Sequence, residues 1–396
     1  MKVITDEKKI EDILNIGVDE IIEKEHLISI MKSGRRLNIK FGIDPTMPDL
    51  HLGHSVPLRK LRQFQDLGHL AILIIGDATA MVGDPSGRSE TRKMLDSAEI
   101  KKNMKSYLKQ AGKILDIKNA KVVYNSKWLN NNMMTILELS KAGTIQQILH
   151  RTDFKKRIEN DQDITLLETL YPLLQGYDSV VIKADLEIGG TDQKFNLLTG
   201  RRVQRYFKIP EQDILTLPLL EGTDGIKKMS KSYGNFIALD EKPEDMYGKI
   251  MSLPDSLIIK YFNLCTSVSN EEISEIKTGM ELEKLNPKEA KMKLAYEIVK
   301  IYHGGKKARE AEKNFINIFQ KKEIPTEMEE IKGSGGLGVI LVLKKVVASM
   351  SEWHRLVDEG AIKRLNKKGE EKIVDFKIIA TPGVYKIGKH RFIKIK

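Results

Sequence analysis

The chain has 396 residues, 41% hydrophobic and 31% charged, which excludes a disordered polymer and predicts two or three globular domains. Lys and Arg number 66 against 55 Asp and Glu, a net charge of +11 that suits a polyanionic partner. Cys265 is the only cysteine, so an internal disulfide and a cysteine-based metal cluster are excluded. The charged start, Met1-Lys2-Val3-Ile4-Thr5-Asp6-Glu7, has no apolar signal core, and no apolar run reaches the ~20 residues of a membrane span, so a cytoplasmic protein is expected.

In chain order, residues 1–36 read as amphipathic helices, with Ile10, Ile13 and Leu14, then Ile21 and Ile22, at helical spacing. Short apolar runs follow at Leu37–Ile43, Ala71–Ile75, Lys121–Tyr124, Ala184–Ile188 and Leu215–Leu220, and these are predicted strands. Helical patterns over Val56–Leu67 and Ser97–Leu115 alternate with them, a βαβ rhythm that implies an α/β fold with a parallel sheet. Ligands in such sheets lie beyond the carboxyl ends of the strands, where His51–His54, Gly76–Arg88 and Gly189–Gln193 should converge. From about Pro243 to Phe319 the pattern is helical, with Asn286 as an N-cap, Pro287 at the first position and Gly304-Gly305 at the end. A linker rich in Glu and then Gly, Pro325 to Gly338, leads to a basic tail. Residues 344–396 hold 14 Lys/Arg against 6 Asp/Glu, or +8 of the total +11.

Two separated runs carry the chemistry. In His51-Leu52-Gly53-His54 the imidazoles are three apart and share a face of a first helical turn, where backbone N–H groups add to an anion site. Gly53 between them lets a flat ring approach the backbone. Lys228-Met229-Ser230-Lys231-Ser232 follows Gly225 and repeats the spacing of three with lysines, hydroxyls lying between and after them. Both runs can hold a polyphosphate whose charge is moving.

In this order and spacing the two runs resemble the paired signatures of class I aminoacyl-tRNA synthetases. Phe41-Gly42-Ile43-Asp44-Pro45-Thr46, Gly83-Asp84-Pro85-Ser86-Gly87-Arg88, the run from Tyr171 through Gln175 to Asp178, and Gly189-Gly190-Thr191-Asp192-Gln193 resemble the tyrosyl-tRNA synthetases. The likeness covers nearly the whole chain, and residues 189–196 resemble the long bacterial subgroup. The resemblance implies a Rossmann-like catalytic domain over 1–235 with a connecting insertion at about 128–169. It further implies a helical anticodon-binding-like domain over 236–325, a linker at 326–336 and an S4-like RNA-binding domain over 337–396. It implies tyrosine, ATP and tRNA(Tyr) as substrates, with Mg²⁺ arriving on ATP and no metal bound by the protein itself.

Carried over residue by residue, the resemblance assigns Asp178 to the substrate phenol, and Asp84, Tyr171 and Gln175 to its α-ammonium. Gln193 is assigned to the carboxylate side and Asn125 to the side-chain pocket. Gly42, Asp44, Gly53, Gly190, Asp192, Met229, Ser230, Lys231 and Ser232 are assigned to ATP, with Asp192 and Gly190 on the ribose. His51, His54, Thr46, Lys228, Lys231, Arg88 and Arg92 are assigned to the phosphates, the last four on loops expected to move. Tyr171, Gln175 and Asp178 fall on one helical face, and a purely structural face would be apolar. One departure stands out: much of the family has a tyrosine where this chain has Lys40, so Lys40 is the expected second partner of the phenol.

The insertion carries Met133, Met134, Ile136, Leu137 and Leu139, which fit a helix core as well as an interface, and the resemblance selects a homodimer. Ser351–Lys363 and Lys386–Phe392 look like the helix-turn and closing strand of an S4 module, which points to Arg355, Lys363, Arg364, Lys389 and Arg391 as phosphate contacts, with Trp353 packed rather than stacked. Other readings are a tryptophan–tRNA ligase, a small nucleotidyltransferase sharing the His-x-Gly-His run, and a catalytically inactive RNA-binding paralogue. Gln175 with Asp178, the second lysine run, and the intact histidines and lysines count against these in turn.

Overall fold

The computed structural model describes residues 2–86, 96–130, 133–319, 328–333, 335–344, 346–366, 369–388 and 391–396. They divide into two compact units, Met1–Glu312 and Lys313–Lys396. In the first unit, strands β1 (Glu20–Ile22), β2 (Asn38–Ile43), β3 (Leu70–Ile75), β4 (Lys121–Tyr124), β5 (Leu186–Gly190) and β6 (Asp213–Leu217) form one sheet in the order β1-β6-β5-β2-β3-β4. All neighbours are parallel except β1, which pairs antiparallel with β6 at the edge. β3 reads Leu-Ala-Ile-Leu-Ile-Ile and is buried along almost its whole length, as a strand covered on both faces must be. The strands fall close to their expected places; β1, three residues between two short helices, was not foreseen.

Strand order reverses between β2 and β5: the chain runs outward from β2 through β3 to β4, then resumes at β5 and runs the other way. The loops leaving these two strands diverge and open a crevice at their carboxyl ends. Helix Leu166–Ile182 lies along it, started by Thr165 and Glu168, each side chain bonding the other's backbone N–H. That helix packs tightly on helix Lys194–Tyr206, because a Cβ on Gly176 would come within 2.8 Å of Val203 and 3.2 Å of the Gly200 backbone.

The helical region, expected as a domain over 236–325, falls in the first unit as far as Glu312. Helix Ile258–Cys265 joins it to the loop 217–233: Lys260 Nζ meets Glu221 Oε1 at 2.8 Å, and the Tyr261 hydroxyl donates to the Glu221 carbonyl. Asn286 caps helix Pro287–His303 as expected, accepting from the Lys288 N–H at 2.9 Å. Of the insertion's apolar residues, Leu139 is buried, whereas Met133, Met134 and Leu137 are exposed by 74%, 73% and 52%.

In the second unit β7 (Glu329–Ile331), β8 (Ile362–Asn366), β9 (Gly369–Lys372), β10 (Gly383–Ile387) and β11 (Arg391–Ile395) form a mixed sheet ordered β7-β11-β10-β8-β9. The stretch expected as a linker, 326–336, therefore contains a strand, because Ile331 anchors β7 in the core while β7 pairs parallel with β11. Trp353 is fully buried, donating to the Phe376 carbonyl at 3.2 Å, as its packed reading requires. Gly338 makes room for it, since a Cβ there would meet the indole nitrogen at 2.6 Å. Trp353→Ala is expected to destabilise this unit by roughly 3–5 kcal/mol, read as a lowered urea midpoint in far-ultraviolet circular dichroism. A midpoint unchanged from wild type would show that Trp353 is not a core residue.

Candidate active site

The crevice deepens into a cavity of about 1010 Å³, lined from the ends of β2 and β5, helix Leu166–Ile182, the start of helix Leu52–Asp66 and the loop 217–233. Tyr171, Gln175 and Asp178 all face it from one side of their helix, as their spacing predicted. Asp178 is buried, and burial pushes its carboxyl up to about 6, against the opposing influence of Lys40 and of its hydrogen bonds. Trp128 Nε1 donates to Asp178 Oδ1 at 2.8 Å and Asn125 Nδ2 to Oδ2 at 3.3 Å. These two donors leave the carboxylate with acceptor capacity toward the cavity.

Neither Lys40 nor Asn125 lines that cavity. Lys40, expected as the second reader of a phenol, is fully buried behind the wall. Its ammonium meets Glu187 Oε1 at 2.8 Å, the Gln175 carbonyl at 2.8 Å and Ser179 Oγ at 2.7 Å. A desolvated ammonium must find such partners, and Glu187, which the sequence reading missed, supplies the charge. Glu187 in turn accepts Gln175 Nε2 at 3.1 Å, so the side-chain oxygen Oε1 of Gln175 is the end left for a ligand. Asn125 likewise holds Asp178, Thr79 and the Ala78 N–H from behind.

Asp84 closes the other side of this pocket. It accepts Gln193 Nε2 at 2.7 Å and the Ser86 N–H at 2.9 Å. Asp44, expected on the nucleotide, lines the cavity but takes the Tyr171 hydroxyl at 3.0 Å and the Thr79 hydroxyl at 2.8 Å. It thereby braces the wall that carries Tyr171. Burial, with Asp44 and Asp84 nearby, pushes the Tyr171 phenol well above its ordinary range, so it stays a donor.

At the far end His51 starts helix Leu52–Asp66, and its ring lies 3.8 Å from that of His54 between centroids. Burial holds both imidazoles low, helped by Lys231 and Lys228, with His54 at about 4. Both are therefore neutral at pH 7 and present N–H donors rather than charges. His51 Nδ1 is buried without a partner among the described residues. Gly53 is required by the tilted pair of rings, because a Cβ there would stand 2.9 Å from the His51 ring. Gly42, Thr46 and Gly190 line the same cavity.

The lysine run sits on a hairpin. Met229 N–H bonds the Leu220 carbonyl at 2.7 Å, and Gly222 N–H bonds that of Lys227 at 2.9 Å. Asn235 staples it, accepting from the Ser230 N–H at 2.8 Å and donating to Asp224 at 2.9 Å. Residues 237–239 then pair with 50–52, which ties the loop's end to the histidine turn. Lys228 Nζ lies 3.0 Å from Asp192 Oδ2 and Lys231 Nζ 2.7 Å from Asp49 Oδ2. Ser230 and Ser232 share a hydrogen bond of 2.8 Å, and Met229 is buried near Gly53. Asp49, Asn235, Trp128 and Glu187 carried no motif and were invisible to sequence reasoning. Arg88 and Arg92 lie outside the described residues.

In the second unit, the basic candidates have protein partners of their own. Arg355 pairs with Glu359 at 2.8 Å and Lys363 pairs with Glu370. Arg364 donates to the Pro382 carbonyl at 3.0 Å and Arg391 to that of Val346. Lys389 lies outside the described residues.

Comparison with known proteins places the chain. Residues 31–320 match the family model of class I tRNA synthetases (W and Y). The chain is 47% identical to a tyrosine–tRNA ligase of Carboxydothermus hydrogenoformans over 97% of each chain. It is 46% identical to that of Thermotoga maritima over 99% of this chain and 98% of the relative. A crystal structure of a C-terminally truncated mitochondrial tyrosyl-tRNA synthetase from Aspergillus nidulans superposes with a TM-score of 0.66 at 25% identity, covering 79% of this chain and 94% of that one. A family model over residues 31–320 and relatives 46–47% identical over nearly the whole chain show the family: the chain belongs to the class I tyrosine–tRNA ligases.

Proposed function

We propose that this chain activates tyrosine with ATP, forming tyrosyl-adenylate and pyrophosphate, and then transfers the tyrosyl group to the 3' end of tRNA(Tyr). One observation carries the reading. A single cavity has a buried carboxylate, Asp178, at one end and a phosphate-type donor set, His51, His54, Lys228 and Lys231, at the other. Asp178 accepts the phenol hydroxyl, while Asp84, Tyr171 and Gln175 receive the α-ammonium and Gln193 flanks the carboxylate. Asp192 and Gly190 take the ribose hydroxyls.

The substrate carboxylate attacks the α-phosphorus, and the bond to the bridging oxygen of pyrophosphate breaks. No protein nucleophile is needed, because the reacting oxygen is already anionic; the site must orient it and stabilise the charge that leaves. Neutral His51 and His54 donate to phosphate oxygens, with the Thr46 hydroxyl beside them. Lys228 and Lys231 exchange Asp192 and Asp49 for the triphosphate, and Arg88 and Arg92 complete the cation set. Mg²⁺ travels with ATP as part of the substrate.

The exposed Met133, Met134 and Leu137 support a homodimer through the insertion, and the mixed sheet with its basic residues supports an S4-like grip on tRNA phosphates. Buried, unpaired Cys265 fits a cytoplasmic enzyme.

The test is ATP–pyrophosphate exchange with tyrosine, tryptophan and phenylalanine offered separately. Exchange with tyrosine alone is the expected result, and exchange with tryptophan alone would move the assignment to the sister enzyme. His54→Ala is expected to slow tyrosine-dependent exchange roughly 10²–10³-fold, with little change in the KM for tyrosine. A rate within a few-fold of wild type would remove His54 from the phosphate site.

A further inference from the structure

Arg151 is almost fully buried although it stands in the insertion, between the short helices Ile145–Leu149 and Thr152–Glu159. Its guanidinium lies between two rings, 5.1 Å from the Phe154 centroid and 5.0 Å from that of Phe195, and is held edge-on by Asp153 at 2.7 and 3.0 Å. The remaining N–H groups leave the insertion: Nη1 donates to Asn196 Oδ1 at 2.7 Å and Nη2 to Ser86 Oγ at 3.0 Å. A side chain sandwiched, paired and hydrogen-bonded in this way has one geometry.

The chemistry of that guanidinium dictates the polarity of the hydrogen bonds beyond it. It only donates, so Asn196 must turn its carbonyl oxygen to Arg151 and its amide nitrogen away. That nitrogen lies 2.9 Å from Gln193 Oε1 and 3.2 Å from Ser86 Oγ. With its oxygen occupied, Gln193 must turn Nε2 to Asp84, at 2.7 Å from Oδ2. Asp84 is left purely as an acceptor, facing the cavity between Gln193 and the Ser86 N–H.

We infer that Arg151 is a positioning residue for the amino-acid pocket: through Asn196 it sets the amide orientation of Gln193, and so presents Asp84 as the acceptor for the substrate's α-ammonium. The inference rests on the proposed role of Asp84 and ties that role to a segment outside the pocket. It also gives the insertion a route to the active site, because any movement of Arg151 reaches Asp84 through fixed hydrogen bonds.

The experiment compares wild type, Arg151→Lys and Arg151→Met in tyrosine-dependent exchange, together with equilibrium titration of L-tyrosine and of ATP. Wild-type exchange by itself decides the functional reading, whatever the variants do. If the relay operates, Arg151→Met raises the KM and Kd for tyrosine roughly ten- to a hundredfold, with those for ATP within about twofold. Arg151→Lys, which keeps the charge and one donor, recovers part of the loss. Equal losses for tyrosine and ATP, or an unchanged tyrosine KM, would overturn the inference. Should Arg151→Met fail to fold, Asn196→Leu removes the same relay while leaving Arg151 with Asp153 and the two rings. A tyrosine KM unchanged in a folded Asn196→Leu protein would overturn it equally.

Discussion

Asp178→Asn is expected to cost tyrosine-dependent exchange roughly a hundredfold or more in kcat/KM while leaving the folded protein at least as stable as wild type. The activity falls because the pocket loses its anionic acceptor: Trp128 holds the side-chain oxygen at this position, so the new amide turns its NH₂ toward Asn125 or the ligand. Stability moves the other way because burial raises Asp178 from 3.8 to about 6, so ionising it in the folded pocket costs roughly 3 kcal/mol. Between those two values the folded chain holds a proton that the unfolded chain has released, so this group's contribution falls as pH rises through the window and is flat above it. The stabilisation of Asp178→Asn should accordingly grow from pH 4 to 6 and then level off, at about 1–2 kcal/mol once the lost hydrogen bond is subtracted. Urea midpoints across that range measure it. In wild type the KM for tyrosine should climb as pH drops below about 6, since protonation weakens the acceptor. A tyrosine KM in Asp178→Asn equal to wild type would exclude Asp178 as the phenol partner.

Lys40→Met should be the most destabilising single change near the site, by roughly 3–5 kcal/mol, because it leaves the buried Glu187 carboxylate with neutral donors only. Those donors are Gln175, Ser179 and Gln212, none of which supplies a compensating charge. Adding Glu187→Gln removes the orphaned charge, and the double variant is expected to regain at least half of the loss in urea denaturation. Discrimination against phenylalanine separates this geometry from the family-based expectation. Lys40 behind the wall predicts a higher tyrosine KM through a displaced Gln175, with the tyrosine-to-phenylalanine preference kept. A collapse of that preference in the Lys40→Met/Glu187→Gln double variant would return Lys40 to the phenol.

The contrast at Lys40 shows how far the residue string reaches. Periodicity located the parallel strands, the helices of 243–319 and the shared face of Tyr171, Gln175 and Asp178, because these depend on neighbours along one element. The order of the motifs located the histidine turn and the lysine hairpin, since each is a local arrangement that one short run completes. Where the second partner comes from a distant element, local pattern is silent. Glu187 reaches Lys40 across the sheet, Trp128 and Asn125 reach Asp178 across about 50 residues of chain, and Asp49 meets Lys231 across 182. The helical region tells the same story at larger scale: its helices were plain in the sequence, but nothing local could show that as far as Glu312 they fall in one unit with the sheet.

By itself, then, the sequence determined the α/β frame, and it singled out the two runs proposed for the phosphates and the carboxylate proposed for the amino acid. These follow from the periods of strand and helix and from chemistry that a single run can hold. Tertiary structure alone decided the protonation of that machinery and the direction of its amides. Burial makes the histidines neutral and raises Asp178, and a donor-only Arg151 orders Asn196 and Gln193, because desolvation and hydrogen-bond polarity exist only once distant residues are packed together.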